Sequence, residues 1–218
     1  MPEGPGEVTV PAELTALAET VRTGAFAELA ALRPPPLGVG RPSAVLVTFA
    51  PTPDGLGVLL IERAADLRRH AGQVAFPGGA VDPQDADHVA TALREAQEEV
   101  GLDPAGVQVL TELPPLFIPR SGFVVTPVLA WLADPRAVRA ADPAEVARVE
   151  LIPLAALVDP GNRFNVQHPA GQVGAGFDVQ QMFVWGFTAA VLDRLLELGG
   201  WAQPWDRTVV RALPEPRG

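Results

Sequence analysis

Glu95, Glu98 and Glu99 are the residues of this 218-residue chain whose type and spacing most directly suggest chemistry. On a helix, separations of i, i+3 and i+4 place all three carboxylates on one face within a single turn. Each like-charge pair at that spacing costs an isolated helix about 0.2–0.5 kcal/mol, so something must compensate it. A solvated acidic face with Arg94 as neighbouring countercharge is one answer. The other is a hard divalent cation, because Mg²⁺ is held by a few carboxylates together with substrate phosphates and water.

The elements that must position these carboxylates follow from periodicity. A helix is predicted from about His88 to Val100, led by the acidic stretch Asp82 to Asp87 and closed by Gly101, with Ala92, Leu93, Ala96 and Val100 on its apolar side. Upstream, Ser43 to Phe49 and Val58 to Ile61 read as a hairpin around Pro51-Thr52-Pro53-Asp54-Gly55, and Val74 to Phe76 as a short strand ended by Pro77-Gly78-Gly79. Further strands are expected at Val107 to Leu113, Phe123 to Leu132 and Val146 to Ile152. Helical periodicity runs from Pro11 to about Leu32 and from Trp185 to Leu198. Mixed strands with two or three helices predict an α+β sandwich, a mixed β-sheet flanked by helices.

The division expected along the chain is an N-terminal helical extension and Pro-rich linker at 1–36, a single domain at 37–202 and a loose tail at 203–218. Pro34, Pro35 and Pro36 mark the linker, and the first ten residues are expected to fray.

Composition narrows the function classes. A formal charge of −10 argues against a phosphate-backbone footprint, so no nucleic-acid partner is expected. With no cysteine there is no disulfide, thiolate zinc site or cysteine nucleophile. Apolar runs fall well short of the ~18 residues needed to span a bilayer, so no membrane partner is expected and the location is read as cytoplasmic. All basic side chains other than three histidines are arginine. Neither a G-x-S-x-G elbow nor a P-loop is present.

Gly79, Arg94, Glu95, Glu98, Glu99, Gly101 and Leu102 resemble the Nudix box, G-x5-E-x7-R-E-U-x-E-E-x-G-U, where U is apolar. Asp85 stands in place of the first glutamate with eight residues between it and Arg94, and Ala96 fills the apolar slot. The resemblance implies a Nudix-type α/β/α sandwich. It also implies Mg²⁺ or Mn²⁺ on Glu95, Glu98 and Glu99 with the Gly78 carbonyl as a further ligand, and Arg94 orienting a glutamate. Either Asp82 or Asp85 can take the part of the loop carboxylate. A catalytic base from a loop after the box is also implied, with Glu145 as candidate and Glu150 behind it, although an exposed loop acid fits Glu145 as well.

A second stretch resembles the signature of Nudix coenzyme A pyrophosphatases, L-L-T-x-R-[SA]-x3-R-x3-G-x3-F-P-G-G, at Leu59, Leu60, Arg63, Ala64, Arg68, Gly72, Phe76, Pro77, Gly78 and Gly79, with Ile61 where threonine is usual. It implies hydrolysis of coenzyme A, or a derivative, to 3′,5′-ADP and 4′-phosphopantetheine. Substrate phosphates would then meet Arg63, Arg68, His70 and Gly72, with Arg69 a weaker candidate, since guanidinium groups bind phosphate oxygens through paired hydrogen bonds. Each of these basic residues also has a plain surface or ion-pair role open to it, and Phe123 and Trp185 are read as core. Two alternatives stand: a Nudix pyrophosphatase for ADP-ribose, a dinucleotide or a nucleoside triphosphate, and a noncatalytic Nudix-fold ligand sensor. The expected partner is a small molecule, with a homodimer left open.

Overall fold

Asp87 begins the central helix by accepting a hydrogen bond from the Ala90 N–H, which satisfies one of the helix's free N-terminal donors. Gly101 ends it in left-handed backbone with φ 64°. The helix spans His88–Val100, as the sequence predicts. In this computed structural model the described residues are 9–26, 40–65, 72–167, 171 and 173–214. Residues 1–8 of the expected frayed start, the Pro-rich linker and the segment holding Arg68, Arg69 and His70 lie outside them.

Among the described residues, four α-helices carry the labels α1 (Ala12–Thr20), α2 (His88–Val100), α3 (Leu154–Val158) and α4 (Gly186–Leu198). An eight-stranded sheet is built from β1 (Arg41–Thr52), β2 (Gly55–Arg63), β3 (Val74–Ala75), β4 (Gly78–Ala80), β5 (Val107–Glu112), β6 (Leu116–Ile118), β7 (Phe123–Leu132) and β8 (Val146–Pro153). The main order is β3-β2-β1-β7-β5, with β8 on β2 and β6 on β7. β1 and β7 run parallel from Arg41 opposite Phe123 to Phe49 opposite Trp131, whereas the hairpin partner β2 is antiparallel, so the sheet is mixed.

The two faces of the sheet are sorted by strand alternation. Ala44, Leu46 and Ala50 of β1 and Leu59 and Ile61 of β2 pack beneath Ala92, Ala96 and Val100 of α2. Val47, Phe49, Val58 and Leu60 face the other way, against α1, α4 and a second sheet. That sheet has the order β11-β10-β9-β12, from β9 (Arg163–Gln167), β10 (Val173–Val179), β11 (Met182–Val184) and β12 (Val210–Ala212).

Two local expectations are revised. Pro77-Gly78-Gly79 does not simply end a strand: Gly78–Ala80 re-enters the sheet as β4, pairing with Ser43–Val45 on the edge of β1 that β2 occupies only from Phe49 onward. Glycine is required for this close approach, because a Cβ at Gly78 would lie 2.4 Å from the Ala44 carbonyl oxygen. The C-terminal segment, expected to be loose, is anchored as far as Ala212. β12 pairs with β9, and the buried Arg163 guanidinium lies 4.5 Å from the Phe177 ring centroid and 4.8 Å from that of Trp205 while pairing with Asp193. Helix α1 passes after Thr20 into one wide turn, Val21–Ala25, in which Gly24 has φ 91°; the rest of that periodic stretch, 27–32, lies outside the described residues.

Candidate functional site

Glu95, Glu98 and Glu99 share one side of α2, but packing treats them differently. Glu99 is 3% exposed. Its Oε2 accepts from the Gly78 N–H at 2.9 Å and its Oε1 from Arg63 Nη1 at 3.1 Å. Burial pushes its carboxyl up to about 7; the Gly78 N–H and Arg63 act against that rise, while Glu95 and Glu145 add to it. Glu95 is half-buried and its carboxyl is likewise raised, chiefly by burial, with Arg94 opposing. Gly79 leaves room for it, since a Cβ there would sit 2.5 Å from the Glu95 carboxylate. Glu98 is the outermost, its side chain 59% exposed.

Arg94 is the hub of this surface. It grips Asp85 with two parallel bonds, Nε to Oδ1 and Nη2 to Oδ2, both at 3.0 Å. Nη1 reaches Glu95 at 2.9 Å and Glu98 at 3.1 Å. Nη2 also donates to the Ala80 carbonyl at 3.2 Å. Arg94 holds the Asp85 carboxyl well below the usual carboxylate range, helped by the Asp82 N–H and the Thr91 hydroxyl. Of the two loop acids that the sequence leaves open, Asp85 is thus the one that grips Arg94; Asp82 instead shapes the loop by accepting from the Gln84 N–H. Thr91 was not singled out from sequence, yet it is buried and donates to Asp85 at 2.8 Å. Its position one turn before Glu95 was the available signal.

β8 supplies the next candidate. Glu145 is exposed just before the strand, and its carbonyl accepts from the Ala64 N–H at 2.9 Å. Its carboxylate is near enough to raise both Glu95 and Glu99. Glu150 sits elsewhere. It pairs with Arg148 at 2.8 Å and stands opposite Leu60, on the sheet face away from α2. The register shift between β2 and β8, where Glu62 faces Arg148 but Arg63 faces Val146, leaves Ala147 as an extra residue and separates the two glutamates' surroundings.

Arg63 lies on the same side of β2 as Ile61, facing α2, which brings its guanidinium to Glu99. Its backbone is tied to residues 72 and 73: its N–H donates to the Gln73 carbonyl and its own carbonyl accepts from the Gly72 N–H, each at 3.0 Å. Gly72 has φ 65°, so left-handed backbone is what glycine supplies there. Phe123 and Trp185, read as core, are only half-buried, and Arg41 lies 4.1 Å above the Phe123 ring.

Among the described residues, no three acidic or histidine side chains converge closely enough to form a ready-made cation site. Arg94 draws Glu95 and Glu98 to itself, while Arg63 and Gly78 draw Glu99. The donor chemistry nevertheless suits a hard cation, because two of these carboxylates are raised by burial and mutual repulsion that positive charge would relieve.

A helix over a mixed sheet, with glutamates set against a Gly-Gly turn, is an arrangement typical of the Nudix class, and a NUDIX domain matches residues 40–175. The chain belongs to the Nudix hydrolase family. It is 44% identical over 167 residues to a Cronobacter sakazakii protein described as an uncharacterized Nudix hydrolase, NudL, covering 73% of this chain and 83% of that one. The Escherichia coli K12 protein of the same description is 41% identical over the same shares. In structure, the chain resembles the Mycobacterium smegmatis Nudix hydrolase RenU, with a TM-score of 0.53 and 23% identity over 77% of this chain and 90% of that one.

Proposed function

We propose that the chain hydrolyses the pyrophosphate bond of coenzyme A or one of its derivatives, releasing 3′,5′-ADP and 4′-phosphopantetheine, in the cytoplasm. The observation that carries a hydrolytic site is the meeting of α2, β2 and β4 at Glu99, a buried carboxylate held by the Gly78 N–H and Arg63 beside Glu95 and Glu145. The coenzyme A assignment rests on the Leu59–Gly79 signature.

Glu95, Glu98 and Glu99, with the Gly78 carbonyl, would hold Mg²⁺ or Mn²⁺. Such an ion neutralises nonbridging phosphate oxygens and lowers the pKa of water. The protein's own groups do the rest. Arg94, fixed by Asp85, orients Glu95 and Glu98. Glu145 is the candidate base, an exposed carboxylate beside Glu95 and Glu99 that would take a proton from the attacking water. Arg68 and His70 are proposed to meet the substrate phosphates, the 3′-phosphate among them.

Product analysis tests the proposal. Coenzyme A and its 3′-dephospho form are incubated with Mg²⁺ or Mn²⁺ and wild-type protein, beside Glu98→Gln and Glu99→Gln. Release of 3′,5′-ADP is expected, with preference lost on removing the 3′-phosphate and turnover lowered at least ~100-fold in both variants. Cleavage of ADP-ribose or a dinucleotide but not coenzyme A would discard the substrate assignment. No cleavage of any diphosphate would leave a ligand sensor.

A further inference from the structure

We infer that Arg63 is a positioning residue for Glu99, a part different from the phosphate contact that its sequence motif suggests. This rests on the hydrolytic reading of the site and says how one of its carboxylates is held.

The Arg63 side chain is only 25% exposed, and Nη1 points at the almost fully buried Glu99 Oε1, 3.1 Å away. The two Glu99 oxygens are therefore tethered separately, Oε1 by Arg63 from β2 and Oε2 by the Gly78 N–H from β4. Two tethers from two strands fix both the place and the rotation of the carboxylate plane; one tether would fix only its place. Each carboxylate oxygen has about two acceptor sites, so Glu99 keeps one free on each oxygen with both donors in place. A cation can thus join the site without displacing Arg63.

The backbone around Arg63 is tied down to match. Its N–H and carbonyl bond to Gln73 and Gly72, the adjoining Ala64 N–H bonds to the Glu145 carbonyl, and the shifted register opposite Ala147 lies at this point. Arg63 and its neighbour Ala64 together therefore join Gly72 and Gln73, the Glu145 segment and the carboxylate of α2.

The discriminating experiment compares Arg63→Met and Arg63→Lys with wild type in two assays: Mn²⁺ affinity without substrate, by electron paramagnetic resonance, and steady-state diphosphate hydrolysis. If Arg63 positions Glu99, Arg63→Met weakens Mn²⁺ binding at least ~3-fold and lowers kcat by 10-fold or more, with KM within about 3-fold of wild type. Arg63→Lys, which keeps the charge and can still donate one bond, recovers part of both. A KM raised 10-fold or more with kcat and Mn²⁺ affinity unchanged would overturn the inference and make Arg63 a phosphate contact. Unchanged behaviour in both assays would overturn it too. Thermal melting shows whether each variant is folded, and Arg63→Lys serves if Arg63→Met is not. Should wild type cleave no diphosphate, the proposed function fails while the Mn²⁺ comparison still decides the role of Arg63.

Discussion

Asp85 and Arg94 are joined by two parallel hydrogen bonds of 3.0 Å across the loop that leads into α2, although the loop is one residue longer and the acid one methylene shorter than in the Nudix box they resemble. The longer loop and the shorter side chain offset each other, and the planar guanidinium finds the fork it needs. Asp85→Asn keeps the shape but removes one acceptor and the charge. Because Arg94 then loses its anchor while still touching Glu95 and Glu98, kcat is expected to fall on the order of 10–100-fold with KM little changed. Asp85 is held below the usual carboxylate range, so wild type shows no titration of this pair between pH 5 and 8. Steady-state kinetics across that range check both statements.

Glu99 gives the opposite pH signature. Its carboxyl is raised from 4.5 to about 7, so the native state binds more protons than the unfolded chain between those values. The stability it contributes is fully present below about 4.5 and is lost as pH rises through about 7, amounting to roughly 3 kcal/mol. In metal-free protein, Glu99→Gln is therefore expected to gain stability relative to wild type as pH rises from 5 to 8. Urea denaturation with a chelator present measures the difference, and a pH-independent gap would contradict the raised value.

The neighbouring glycines separate fold from function. A Cβ at Gly79 meets the carboxylate end of the Glu95 side chain, whereas one at Gly78 meets the backbone of Ala44 and Val45. Gly79→Ala is expected to melt within a few degrees of wild type yet lose about 100-fold in activity by displacing Glu95. Gly78→Ala is expected to cost roughly 1–3 kcal/mol of stability. Paired thermal melts and activity assays distinguish the two.

Glu145 and Glu150 offer a clean contrast. Glu145→Gln is expected to lower kcat by about 10²–10⁴-fold, the usual contribution of a general base. Glu150, paired with Arg148 on the far face, is expected to change kcat less than about 3-fold when made Gln. Equal losses in the two variants would remove Glu145 from the role of base.

The C-terminal segment is a structural strap. Truncation after residue 202 removes β12 and the Trp205 ring that lies over the buried Arg163. It is expected to destabilise the fold by about 2–4 kcal/mol, since it strips cover from a buried ion pair and its aromatic packing. Urea midpoints of the truncated and full chains test this.

What the sequence by itself determined was local. The bounds of α2 follow from Asp87 and Gly101, residues that cap a helix wherever it packs. The β1–β2 hairpin and the shared side of Glu95, Glu98 and Glu99 follow from turn chemistry and helical period. Only the tertiary structure decided which glutamate is buried, because Glu99 takes its donors from Gly78 and Arg63, 21 and 36 residues away. It also placed Glu145 near Glu95 and Glu99 and Glu150 on the far face of the sheet, with a register shift between them that no local pattern marks. The second sheet is marked only faintly: β10 alternates Val173, Ala175, Phe177 and Val179 with Gly174, Gly176 and Asp178, and its place lies in the cross-strand fit with β9, where Gly176 packs against Val166 and Phe164.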